Sequence, residues 1–214
     1  GRKLAAQLRS EIAGEVRELT RRGTTPGLAV VLVGEDPASV SYVTAKEKAC
    51  AEAGVRSLPF HLPAATSAAE LLERIHALNA DPAVHGILVQ LPLPKGIDEA
   101  AVLRAVDPGK DVDGFHPVNV GQMVLGEDTF LPCTPHGIVV MLARAGIATA
   151  GRHVVVVGRS NIVGKPVAHL LMRKAPGGNA TVTVCHTGTR DLAGFTRQAD
   201  ILVAAAGRPR TVTG

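Results

Sequence analysis

Residues 150–167 read A-G-R-H-V-V-V-V-G-R-S-N-I-V-G-K-P-V, and this stretch decides the fold. Four consecutive valines between Gly151 and Gly158 predict a strand buried on both faces, as in a parallel sheet covered by helices. Gly158, Ser160 and Gly164 then predict a tight turn, and the fixed φ of Pro166 suits the first turn of a helix. Strand, glycine turn and helix N-terminus make an anion site, because unpaired backbone N–H groups and the positive end of the helix dipole converge there. A phosphate-bearing ligand is the first expectation. A βαβ crossover with incidental glycines is the plain alternative.

Spacing narrows the ligand. A Walker loop is one residue shorter between its first glycine and its Gly-Lys, and it continues with Ser or Thr; here Pro166 follows Gly164-Lys165. The dinucleotide fingerprint fits in part, with Ser160 where its second glycine would stand. The next predicted strand, Thr181 to Cys185, runs into His186-Thr187-Gly188-Thr189-Arg190 without a carboxylate. An acid there would hold a free ribose hydroxyl, whereas Arg159, Thr187 and Arg190 suit a phosphorylated one. The expected cofactor is NADP rather than NAD.

With 214 residues, 46% of them apolar, the chain can bury a sizeable core in one large or two small domains. Aromatic residues make up only 2%, which argues against an interleaved basic and aromatic surface for single-stranded nucleic acid. The net charge of +4 is spread without runs and suits anionic small molecules. Cys50, Cys133 and Cys185 form no Cys-x-x-Cys pair, so neither a metal site nor a disulfide framework is expected, and a reducing, cytoplasmic compartment is. No apolar run approaches the ~20 residues of a membrane helix. The chain starts at Gly1 without Met and stops at Gly214 soon after a strand-like Ile201 to Ala206; further chain is expected at both ends.

From the start, Leu4, Leu8, Ile12, Val16 and Leu19 predict a helix ending near Gly23, and Gly27 to Val33 predicts a buried strand. Asp36-Pro37 is an N-cap with a first-turn proline, opening a helix that runs to Gly54. On it Ser39, Tyr42 and Lys46 share one face, so a hydroxyl, a phenol and an amine project together. That face is either a candidate site or a solvated surface with a snorkelling lysine. Val55 to His61 predicts a strand, and Ser67 and Glu70 a capping box opening a helix. The next strand, His85 to Gln90, exits through Leu91-Pro92-Leu93-Pro94, where the prolines stiffen the chain and fix the direction of Gln90. After a short helix over Asp98 to Ala105, residues 107–121 read as a long polar loop. Its aspartates lack the further carboxylates of a calcium loop; Asp113 is either a partner for a nitrogen-rich ligand or a turn former. Thr134 is expected to cap a helix starting at Pro135 and ending at Gly146.

The stretches Tyr42-Val43-Thr44-Ala45-Lys46, Val89-Gln90-Leu91-Pro92-Leu93-Pro94, Lys110-Asp111-Val112-Asp113-Gly114-Phe115, Pro132-Cys133-Thr134-Pro135 and Gly158-Arg159-Ser160-Asn161-Ile162-Val163-Gly164-Lys165-Pro166 occur in that order over nearly the whole chain. Together they resemble the bifunctional methylenetetrahydrofolate dehydrogenase/cyclohydrolase family of one-carbon metabolism. The resemblance implies an α/β protein of two domains: a catalytic folate-binding domain over residues 1–130, a Rossmann-like NADP-binding domain over 131–214, and a cleft between them. It implies NADP-dependent oxidation of 5,10-methylenetetrahydrofolate, then hydrolysis of the methenyl product to 10-formyltetrahydrofolate.

By the same resemblance Tyr42 stacks on the folate, Lys46 is the catalytic amine, Gln90 orients it, and Asp113 hydrogen-bonds the pterin. Ser39, on the same predicted face, joins the substrate set. Arg159, Ser160 and Thr187 match cofactor contacts, and with Gly158, Ile162, Gly164 and Arg190 they make up the expected NADP set. A homodimer is implied, and the family's later Gly-Pro-rich active-site loop lies beyond Gly214.

Other readings remain. A short-chain dehydrogenase also spaces Tyr and Lys as Tyr42 and Lys46 are spaced, but there the pair follows the glycine loop, and here it precedes it. A two-domain dehydrogenase of the shikimate type has the same domain order and a catalytic lysine. An NADP-sensing scaffold would keep the glycine loop and lack the chemistry.

Overall fold

The computed structural model describes residues 2–213, which form two compact units, Gly1–Val112 and Asp113–Gly214. In the first unit, helix α1 (Arg2–Arg21) precedes strand β1 (Gly27–Val33), α2 (Pro37–Ala53), β2 (Arg56–Leu62), α3 (Ala68–Ala80), β3 (Gly86–Val89) and α4 (Glu99–Ala105). The strands pair in parallel in the order β2-β1-β3. Alternation along β1 sends Ala29, Val31 and Val33 into a core with Leu71, Ile75 and Leu78 of α3. Val30 and Leu32 face the other way, onto Val43 of α2. Both faces of β1 are therefore covered, which is why it reads as an unbroken apolar run.

Local signals set the helix ends. The Asp36 carboxylate accepts from Ser39 N at 2.8 Å, and Gly54 closes α2 in the left-handed region. The expected capping box opens α3: Glu70 N donates to Ser67 Oγ, and Ser67 N donates back to Glu70 Oε2.

The second unit contains α5 (Pro117–Leu125), α6 (Cys133–Arg144), β4 (His153–Val157), α7 (Gly164–Met172), β5 (Thr181–Cys185), α8 (Leu192–Arg197) and β6 (Ile201–Ala204). Its parallel sheet has the order β5-β4-β6, the same pattern as the first. Val154 and Val156 pack with Leu170 and Leu171 of α7, while Val155 and Val157 pack with Cys185 on the opposite face. Each of these fully buried aliphatic side chains contributes about 1.5–3 kcal/mol relative to exposure.

Two sequence expectations change. The polar loop of 107–121 becomes helix from Pro117, with His116 Nδ1 accepting from Val118 N and Gly126 closing the end at φ 81°. Met123 of this helix is buried with Val154 and Leu170, and Gly114 packs so closely on residues 130–132 that a Cβ would lie 2.7 Å from Phe130 O. Contacts within the chain divide the two compact units between Val112 and Asp113. Thr134 is not a cap either: α6 begins at Cys133 with Pro132 at the cap position, which has no side chain able to accept.

Candidate active site

A topological switch point occurs in each sheet, because the chain leaves the central strand to one side and later returns to the other; ligands bind beyond the carboxyl ends of strands there. In the first unit that end carries Gln90, directly after β3, with its N–H donated to Val31 O at 2.8 Å. Lys46 reaches the same place from α2, and its Nζ donates to Gln90 Oε1 at 2.9 Å. An ammonium only donates, so the amide must turn its oxygen to Lys46; its Nε2 then donates to Leu91 O at 2.7 Å. The structure thus fixes the amine against a neutral acceptor and leaves it without a carboxylate partner among the described residues.

Tyr42, one turn before Lys46, is 65% exposed, so its ring is available as a flat apolar surface. Ser39 behaves otherwise. It is buried at 3%, and its N–H and hydroxyl bond to Asp36, holding that carboxyl below its ordinary range. The expected row of hydroxyl, phenol and amine therefore reduces to Tyr42 and Lys46, because the α2 cap draws Ser39 inward. Asp113 belongs to the second unit, half-buried just before the close-packed Gly114. A cavity of about 630 Å³ beside α3, lined by residues including Thr66, Glu73 and Arg74, takes in neither Lys46 nor Gln90.

In the second unit, Gly158 follows β4 at φ 130°, and a Cβ on it would lie 2.3 Å from Ala205 O. A Cβ on Gly164 would lie 2.3 Å from Gly158 O. The two glycines allow strand, turn and helix to touch backbone to backbone. Ser160 Oγ accepts from Val163 N at 3.1 Å and from Gly164 N at 3.3 Å. This corrects the expectation that the first amides of the helix face a ligand, since a side chain of the turn already satisfies them. The N–H groups of residues 159–162 donate to nothing among the described residues, and these are the amides left for an anion.

Arg159, Thr187 and Arg190 are exposed and have no side-chain partner among the described residues. Arg159 follows β4 and Thr187 follows β5, adjacent strands in register at Val157 and Cys185. His186 N donates to Thr189 Oγ1 and Gly188 N to His186 Nδ1, which tightens the loop carrying Thr187. The first acid beyond it, Asp191, accepts from Gly194 N at 2.9 Å as the cap of α8, so it is already engaged. Free amides and unpaired cationic and hydroxyl groups, with the nearest carboxylate occupied, fit a phosphorylated dinucleotide. Ile162 is 46% exposed on the same turn.

Sequence reasoning missed several supports. Lys110 Nζ donates to Asn79 O at 2.7 Å, Asp81 O at 2.8 Å and Leu78 O at 3.2 Å, fastening the end of α3 to the segment before Asp113. Asn79 donates to Ala105 O and accepts from Asp107 N. Lys165 Nζ donates to Asn161 Oδ1 at 2.7 Å. A lysine or asparagine near a helix end carries no sequence mark that separates such a clamp from a solvated side chain. Among the described residues no group of His, Cys, Asp and Glu is arranged to hold a metal ion.

Comparison with known proteins gives the family. Residues 1–113 match the family model for the tetrahydrofolate dehydrogenase/cyclohydrolase catalytic domain, and residues 132–214 match the model for its NAD(P)-binding domain. The bifunctional protein FolD of Geobacillus thermodenitrificans is 59% identical over 212 residues, 99% of this chain and 73% of that protein. FolD of Geotalea uraniireducens is 57% identical over 214 residues, 100% of this chain and 75% of that one. Among solved structures, FolD methylenetetrahydrofolate dehydrogenase/cyclohydrolase of Campylobacter jejuni superposes with a TM-score of 0.92 at 47% identity, covering 96% of this chain and 72% of that one. The Trypanosoma brucei enzyme, solved with NADP and an inhibitor, gives 0.91 at 40% identity, covering 98% and 71%. The chain belongs to the tetrahydrofolate dehydrogenase/cyclohydrolase family.

Proposed function

We propose that this protein oxidises 5,10-methylenetetrahydrofolate to the methenyl cation with NADP and hydrolyses that cation to 10-formyltetrahydrofolate. The observation that carries the reading is the Lys46–Gln90 pair, built at the switch point of a unit that matches the family's catalytic domain.

NADP, when bound, supplies the hydride acceptor. In this reading the turn residues Gly158, Ser160, Ile162 and Gly164 seat the dinucleotide, and Arg159, Thr187 and Arg190 hold the extra phosphate. Oxidation needs the reacting rings to be held in place and needs no proton from the protein. Tyr42 supports the folate ring and Asp113 accepts from the donor edge of the pterin. Hydrolysis differs, because water must lose a proton as it attacks the methenyl carbon and the opening ring nitrogen must gain one. Lys46 carries that proton, and Gln90 Oε1 keeps its Nζ aimed.

Two copies pair through the second unit in this reading, on the strength of the resemblance. A reducing compartment is part of it, since Cys50, Cys133 and Cys185 form no Cys-x-x-Cys pair. No helix among the described residues is long and apolar enough to cross a membrane.

The test is NADP reduction by the full chain with 5,10-methylenetetrahydrofolate, followed by decay of the methenyl absorbance. Reduction and decay are both expected. Cofactor reduction with shikimate-type alcohols and none with the folate would overturn the proposal.

A further inference from the structure

The loop that aims Gln90 is itself held from outside. Of residues 92–94, Pro92 and Pro94 have no N–H, so Leu93 offers the one main-chain donor of that run. That N–H donates to Glu99 Oε1 at 2.9 Å in a partly buried bond. Glu99 is the first residue of α4, and the helix is well seated: Asp98 Oδ1 accepts from Ala100 N and Ala101 N, and Val102 is 1% exposed in the core. The carboxylate is therefore delivered from a well-seated helix to a run, residues 92–94, with no other main-chain donor.

A chain of contacts leads from there to the amine. Glu99 fixes Leu93, and the stiff Leu91 to Pro94 run fixes Leu91 O. Leu91 O accepts from Gln90 Nε2 at 2.7 Å, which sets the amide plane. Gln90 Oε1 in turn accepts from Lys46 Nζ at 2.9 Å. Released at Leu93, the loop would let Leu91 O drift, and the amide would rotate about its last torsion, which is broad and only weakly restrained. We propose that Glu99 is a positioning residue for the hydrolytic step, acting through Leu93 and Leu91 on Gln90 and thereby on Lys46. The inference rests on the reading of Lys46 and Gln90 given above.

A first-turn acid also complements a helix dipole, and two conservative variants separate that role from positioning. Glu99→Asp keeps the charge in the first turn but shortens the side chain, withdrawing its oxygen from Leu93 N. Glu99→Gln gives up the charge but keeps an oxygen at the right reach. The experiment measures kcat and KM for hydrolysis, together with NADP affinity, in the full chain for wild type, both variants, Gln90→Ala, and Gln90→Ala combined with Glu99→Asp.

Glu99→Asp is expected to lower kcat for hydrolysis on the order of tenfold with NADP affinity unchanged, and Glu99→Gln to stay within about threefold of wild type. In the Gln90→Ala background, Glu99→Asp should cost nothing further, since both changes break the same chain. Glu99→Gln falling while Glu99→Asp stays active would make Glu99 a helix-end charge and overturn the proposal, as would additive losses in the double variant. If Gln90→Ala alone leaves hydrolysis intact, the assignment of Lys46 and Gln90 fails, and this inference fails with it.

Discussion

Gln90 Oε1 lies 2.9 Å from Lys46 Nζ, although 44 positions separate the two residues in sequence. Helix α2 and the exit of β3 meet because both border the central strand β1, whose Val43 and Leu88 neighbours share one core. The amine is held by a neutral amide oxygen rather than by a carboxylate. Lys46→Met keeps most of the side-chain length and removes the proton carrier. Hydrolysis is expected to fall ~10²–10⁴-fold, the usual contribution of acid–base help, while hydride transfer falls less. Both rates on one purified variant, with folate binding measured separately, check this; hydrolysis that survives while hydride transfer is lost would remove Lys46 from its role.

Cofactor preference is expected to reside in Arg159. Its guanidinium is exposed and unpartnered among the described residues, free to make a forked pair with the extra phosphate of NADP. Arg159→Ala should weaken NADP binding much more than NAD binding. Titration with both cofactors decides it, and equal losses would place the phosphate elsewhere.

Asp113→Ala should weaken folate binding, because donors on the buried pterin edge would lose their acceptor. The loss is expected on the order of 1–3 kcal/mol, larger if the contact is charged. Calorimetric titration with a folate analogue measures it; unchanged affinity would make Asp113 a turn residue alone.

Acid should act on the α3 cap. The Ser67 backbone N–H and then its hydroxyl, both donating to Glu70, hold that carboxyl below its ordinary value of 4.5. A lowered folded value means that the stabilisation is complete above 4.5, where the unfolded group is also ionised, and is lost as pH falls through the folded value. Glu70→Gln keeps a capping amide but no charge. Wild type should melt above this variant near neutral pH, with the gap closing below the ordinary carboxylate range. A gap that stays constant into acid would show that the ionised form contributes nothing to the cap.

Strand β1 was legible because burial on both faces writes itself as an apolar run, Gly27–Val33; the edge strand Thr181–Cys185 was legible instead from its β-branched residues. Helix α5 was not. Its cap is an imidazole, His116, and its opening follows a run of aspartates that reads as loop, although Pro117 and Gly126 mark its ends. The glycine turn between β4 and α7 was legible in outline, but the occupation of its first helical amides by Ser160 was not, since a serine in a turn points either way. Ser39 has the right helical spacing to stand beside Tyr42 and is buried by the cap it helps to form. Glu99 looks in sequence like any first-turn acid, and only the three-dimensional path of Leu93 shows what it holds.

The tight contacts at Gly158 and Gly164 limit how this protein can be re-engineered. Both would clash with main-chain carbonyl oxygens, of Ala205 and Gly158 respectively, and a carbonyl cannot step aside by changing rotamer as a side chain can. Substitutions at the glycines would deform the turn itself rather than retune it. Arg159, Thr187 and Arg190 are exposed side chains whose exchange disturbs no main-chain contact. On the proposed assignment of the extra phosphate to these three side chains, a designer seeking an NAD-using version has a short and well-separated set of positions to vary, with the turn kept as an invariant chassis.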